Sequence, residues 1–125
     1  EAARLLQTTT AAVQNDRLGA AQALVQRCQA AVVLKGSGTV IAAPDTLPCI
    51  NSSGNAALAT AGTGDVLAGW VAGLWAQAPQ DKAAEVAARA VWQHGRAADT
   101  DAAAARGAPL TASALVAALA QRDFD

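Results

Sequence analysis

A chain of 125 residues can bury one modest core and has no room for two ordinary domains. Hydrophobic residues make up 53% of it but aromatics only 3%, because alanine, a strong helix former that buries little area, supplies most of the apolar count. Nine basic against ten acidic residues leave a net charge of −1, which excludes the electrostatic footprint of a nucleic-acid binder or a membrane-surface protein, so any phosphate binding must rest on local geometry.

No apolar run reaches the ~20 residues that a membrane span needs, and the opening Glu-Ala-Ala-Arg-Leu-Leu lacks the pattern of a signal peptide. A cytoplasmic location is therefore the default expectation, with a homo-oligomer left open. Cys28 and Cys49 lie far apart without metal-type spacing and read as buried, reduced side chains. With one histidine in the chain, no metal-ligand grouping is visible.

In chain order, Ala2 to Gln7 reads as a short helix, interrupted by Thr8-Thr9-Thr10. Asn15 or Asp16 can cap a second helix to about Gln29, with Leu18, Ala21, Leu24, Val25 and Cys28 on one face. The unalternating run Ala31-Val32-Val33-Leu34 predicts an interior parallel strand covered on both faces. Lys35-Gly36-Ser37-Gly38-Thr39 follows, then Val40 to Ala43, the turn residues Pro44-Asp45-Thr46, and a returning strand over Leu47 to Ile50. Asn51 to Asn55 is a polar loop.

After Gly62-Thr63-Gly64-Asp65 the period becomes helical, with Val66, Leu67, Trp70, Val71 and Leu74 on one side. Beyond Pro79 a long helix is predicted over about Asp81 to Ala104, with a stripe of Ala87, Ala90, Val91, His94, Ala97 and Ala98. Gly107 and Pro109 end it, and Thr111 or Ser113 caps a last helix to about Gln121. His94 reads as a packed, hydrogen-bonded histidine, and Trp70, Trp75 and Trp92 as core or interface anchors.

Two glycine-rich segments carry the chemistry. Where Gly62-Thr63-Gly64 opens a helix, unpaired backbone N–H groups and the helix dipole make an anion hole. Asp65 stands beside those donors and can take a proton from a substrate hydroxyl, an arrangement suited to phosphoryl transfer. An acidic residue in a first turn is also favoured by the dipole alone. The Lys35–Thr39 segment ends a buried strand, where ligands of α/β sheets bind. It is no Walker A loop, because the lysine precedes the glycines and no helix follows.

In this order the pieces resemble the nucleotide-dependent NAD(P)H-hydrate dehydratases. Val33-Leu34-Lys35-Gly36-Ser37-Gly38-Thr39-Val40-Ile41 is similar to that family's strand-loop-strand. Ser53-Gly54-Asn55 and Ala59-Thr60-Ala61-Gly62-Thr63-Gly64-Asp65-Val66-Leu67-Ala68-Gly69 resemble its glycine-rich signature, and Leu74 to Gln77 and His94 to Asp99 its next two helices. Glu1 to Leu6 resembles the close of its His-Pro-Gly-Glu motif. The family usually has Pro-Gly where this chain has Ala56-Ala57, and Gly where it has Ala61.

The resemblance implies a layered α/β/α, ribokinase-like fold of which residues 1–125 form the C-terminal half. It also implies a repair reaction: ADP or ATP, with Mg2+, phosphorylates the ring hydroxyl of hydrated NADH or NADPH, and elimination restores the cofactor. Lys35, Gly36, Ser37, Gly38, Thr39 and Gly64 are then the expected nucleotide contacts. Asp65 is the expected base, and it meets the substrate together with Asn55. Two alternatives stay open: a related kinase acting on a vitamin precursor or sugar, and a non-catalytic association module.

Overall fold

The computed structural model describes residues 1–101 and 106–121. Helices α1 (Ala2–Leu5), α2 (Thr10–Asn15) and α3 (Arg17–Cys28) precede the strands β1 (Val32–Leu34), β2 (Val40–Ala42) and β3 (Cys49–Ile50). A 3-10 turn (Ala56–Leu58) leads to α4 (Thr63–Gln77), α5 (Ala83–Asp99) and α6 (Ala112–Ala120).

The strands form one antiparallel sheet in the order β1-β2-β3. Register pairs Val32 with Ala42, Val33 with Ile41 and Leu34 with Val40. Since side chains alternate across a sheet, this sorts the core into two layers. Leu34, Val40 and Ala42, with half-buried Val32, pack on Val13, Ala21 and Val25 of the α2–α3 side. Ile41, with half-buried Val33, packs on Leu67, Ala87, Ala90 and Val91 of α4 and α5. A third cluster, Ala97, Ala98, Leu110, Leu115 and Leu119, joins α5 to α6. The architecture is α/β with helices on both faces of the sheet.

Both faces of β1 are thus covered, as its unbroken apolar run predicts. Its direction and place are different: within the described residues its one strand partner is β2, antiparallel, and it stands at the end of the strand order. A buried run reports covered faces and carries no information about which strand lies alongside. The β2–β3 hairpin forms as predicted, pairing Val40 with Ile50 and Ile41 with Cys49.

Helix ends follow local chemistry. Thr9 accepts from Ala12 N and caps α2, a helix that the threonine run conceals. Asp16 accepts from Gly19 N at 2.8 Å to cap α3, and Thr111 caps α6 through Ala114 N. Of the expected α3 face, Ala21, Leu24 and Val25 are buried but Leu18 is 41% exposed. Cys28 and Cys49 are both exposed, against the sequence reading. Cys28 sits in the last turn of α3, and Cys49 on a two-residue edge strand that is exposed along its length. The small-residue stripe of α5 is buried throughout. That helix ends at Asp99, and residues 102–104 of its expected extent lie outside the described residues. No helix among the described residues is long and apolar enough to cross a membrane.

Candidate functional site

A cleft of about 590 Å³ opens where the β1–β2 loop, the loop after β3 and the start of α4 converge. All five residues from Lys35 to Thr39 line it, as do Asn55, Thr63 and Gly64, so both glycine-rich segments face one space. Its size suits a small organic ligand, since such pockets run to roughly 300–1,000 Å³. Gly62 and Asp65 flank Thr63 and Gly64 in the chain but are not part of the cleft wall, and Asp65 is exposed.

The α4 entrance is built for close approach. Gly62 caps the helix at φ +86, a left-handed conformation that glycine adopts without penalty. The Thr63 hydroxyl lies 2.7 Å from Leu58 O and 2.8 Å from Thr60 O, tying the incoming loop to the first turn. Asp65 N and Val66 N both turn back to Gly62 O, at 3.1 and 3.0 Å. Gly64 N–H meets no acceptor among the described residues. The Lys35 ammonium stands beside this residue, so close that a Cβ on Gly64 would lie 2.9 Å from Nζ. A cation at a helix N-terminus opposes the dipole. An anion bound by Nζ and the Gly64 amide would satisfy both, whereas the Thr63 N–H is already bonded to Thr60 O at 3.4 Å.

In the β1–β2 loop Thr39 is buried, and its hydroxyl donates to Gly36 O at 3.0 Å. Gly36 and Gly38 have φ +144 and +63, which accounts for the two glycines. The loop after β3 is held by α5. Asp99 accepts from Gly54 N at 2.9 Å and from Asn55 Nδ2 at 3.2 Å, and Ser53 Oγ donates to Trp92 O at 2.9 Å. Asn55 also reaches Ala98 O with Nδ2 and accepts from Ala57 N with Oδ1. Asn55 is exposed, and its side chain shapes the cleft wall through these bonds to the protein. Ala57 and Ala61 both avoid positive φ, so alanine at these departures from the family pattern carries no backbone penalty. Ala57 is held by Leu110 N, which donates to its carbonyl at 3.1 Å.

His94 of α5 is 8% exposed and lines the cleft. Its Nε2 lies 2.9 Å from Thr63 O, and because a carbonyl only accepts, Nε2 carries the proton. Burial pushes the imidazole below its ordinary pKa, outweighing the Thr63 hydrogen bond, which favours the charged ring; the nearby Lys35 charge lowers it further. His94 is the packed, bonded histidine that the sequence predicts. Trp70 is half-buried and donates to Gln93 Oε1 at 2.8 Å, while Trp75 and Trp92 are 44% and 42% exposed.

Two residues of the site's support are given no role by the motif reading: Asp99, which closes the matched stretch His94 to Asp99, and Arg17, which lies outside the matched stretches. Each is a charge set against its own helix dipole, an acid in the last turn of α5 and a base in the first turn of α3. That contradiction is the sequence signal that finds them.

The profile of the NAD(P)H-hydrate dehydratase family matches residues 1–121. The chain is 52% identical over 99 residues to the ADP-dependent (S)-NAD(P)H-hydrate dehydratase of Neisseria meningitidis serogroup B, covering 79% of this chain and 33% of that protein. It is 47% identical over 102 residues to the bifunctional NAD(P)H-hydrate repair enzyme Nnr of Escherichia coli K12, covering 79% of this chain and 19% of that one. Among solved structures, it superposes on the ADP/ATP-dependent NAD(P)H-hydrate dehydratase of Bacillus subtilis, co-crystallised with ATP/Mg2+, with a TM-score of 0.70 at 33% identity. That match covers 87% of this chain and 39% of the other. The chain thus spans a third or less of the length of these two sequence relatives. By profile, sequence and fold, the chain belongs to the NAD(P)H-hydrate dehydratase family.

Proposed function

We propose that this chain supplies the nucleotide-binding and base-bearing part of an ADP- or ATP-dependent NAD(P)H-hydrate dehydratase, a lyase that repairs hydrated NADH and NADPH. The observation that carries the reading is the Lys35 ammonium beside Gly64, whose N–H meets no acceptor among the described residues, two positive elements that an anion would reconcile. The nucleotide lies along Lys35, Gly36, Ser37, Gly38 and Thr39, with its phosphates directed at the Gly64 amide; of the anion hole expected over Gly62, Thr63 and Gly64, Gly62 lies outside the cleft wall and the Thr63 N–H is bonded to Thr60 O at 3.4 Å.

Asp65, exposed at the same helix start, takes the proton of the substrate's ring hydroxyl. That oxygen attacks the terminal phosphorus, the bridging P–O bond breaks, and the shortened nucleotide leaves. The C–O bond to the new phosphate ester then breaks with loss of a ring proton, releasing phosphate and restoring the C=C bond. Asn55 borders the substrate through the wall that it holds. Among the described residues no three His, Cys, Asp or Glu gather as a metal site. Mg2+ would be held by the nucleotide's phosphates, as this ion commonly is, and would neutralise part of their charge.

The test follows recovery of NADPH from its hydrate by the full-length protein with ADP or ATP, beside a panel of small alcohols. Nucleotide-dependent recovery is the expected result. Phosphorylation of an alcohol without hydrate repair would transfer the site to a small-molecule kinase.

A further inference from the structure

The Lys35–Thr39 loop is held from outside the cleft by one side chain. Arg17, half-buried in the first turn of α3, is not part of the cleft wall. Its Nη2 nevertheless donates to Leu34 O at 3.0 Å, Lys35 O at 3.3 Å and Gly38 O at 3.4 Å, while Nη1 meets Gln14 Oε1 at 3.3 Å. Gly36 passes so near that a Cβ there would lie 3.0 Å from Nη1 and 3.1 Å from Nη2. One guanidinium therefore spans both ends of the loop.

We infer that Arg17 is a positioning residue that presets this loop for its anionic ligand, an inference that rests on the nucleotide reading above. In a trans peptide the N–H points opposite to the C=O. Drawing the carbonyls of Lys35 and Gly38 onto the guanidinium withdraws two oxygens that would repel phosphate and turns the Thr39 amide the other way, while the Gly36 amide donates to Thr39 Oγ1 at 3.3 Å and closes the loop on itself. The loop then meets its ligand already ordered, which lowers the cost of binding. Arginine suits the task because its planar fork serves several carbonyls at once, whereas a lysine ammonium is a point donor. Its position, against the α3 dipole, has no other evident reason.

The experiment measures nucleotide binding and steady-state kinetics of the full-length protein as wild type, Arg17→Met and Arg17→Lys. Arg17→Met is expected to raise the Kd and KM for nucleotide by ~10-fold or more, with kcat at saturating nucleotide within about threefold and KM for the hydrated cofactor unchanged. Arg17→Lys is expected to recover part of the nucleotide affinity, and it decides the question through the same split should Arg17→Met fail to fold. Unchanged nucleotide KM in a folded variant overturns the inference and leaves the function standing. So does an equal loss in kcat and in both KM values, which is the pattern of general damage. A wild type that binds neither ADP nor ATP overturns the functional reading, and this inference with it.

Discussion

Lys35 and Gly64 meet across the cleft: a methyl group on Gly64 would lie 2.9 Å from the lysine Nζ, and the Gly64 N–H meets no acceptor among the described residues. Gly64 has no positive φ, so Gly64→Ala suits the backbone, and alanine is worth up to ~1 kcal/mol over glycine in a helix. The flexible lysine end can move aside. The variant should keep or slightly raise its melting temperature while nucleotide affinity falls by ~10-fold. Calorimetry and nucleotide titration of the same sample check this, and unaltered affinity would remove the anion from between the two groups.

Asp65 gives a second prediction, in which chemistry separates from binding. Asp65→Asn in the full-length protein should keep the fold and most nucleotide affinity, yet lower turnover by ~100-fold or more, the contribution typical of a general base. Were Asp65 there for the α4 dipole alone, the change would cost only ~0.3–1 kcal/mol of stability and leave turnover nearly intact.

The contact of α5 with the loop after β3 leaves no room at Gly95. A Cβ there would lie 2.6 Å from the Ser53 carbonyl carbon and 2.8 Å from Gly54 N, both backbone atoms. Gly95→Ala should therefore destabilise by about 1–3 kcal/mol despite alanine's helix preference. Denaturant unfolding measures it, and a stabilised variant would show that the loop yields.

Asp99 holds the same loop by charge. Removing it in Asp99→Ala leaves Gly54 N–H without its acceptor and frees one Asn55 bond. A loss of roughly 1.5–3 kcal/mol is expected, the usual worth of a hydrogen bond to a charged group. Hydrogen exchange at Gly54 should quicken in the variant; an unchanged rate would refute the clamp.

His94 sets an acid limit. Its folded pKa is depressed, so between that value and the unfolded ~6.5 the unfolded chain binds more protons, and stability rises with pH. The stabilisation is complete above about 6.5 and drains away as pH falls toward the folded value. His94→Gln, which can still donate to Thr63 O, should lack this component. Unfolding curves at several pH values compare the two, and identical pH profiles would exclude His94 as their source.

The sequence by itself determined much here. Capping residues and apolar period are short-range, so Asp16, Thr111 and the buried α5 stripe are readable without a fold. The two glycine-rich segments were equally plain, because positive φ and close approach leave glycine as the fitting residue. Only tertiary structure decided the rest. β1 is antiparallel to β2 because strand direction depends on what lies alongside, and its apolar run records covered faces alone. Cys28 and Cys49 are exposed because burial belongs to the assembled layers and not to the residue type. The guanidinium of Arg17 reaches loop carbonyls 17 to 21 residues on, and Asp99 reaches a loop amide 45 residues back. Such partners are set by how α3 and α5 pack on the sheet, and hydrogen bonds of a few ångströms become definite only once that packing brings distant segments together.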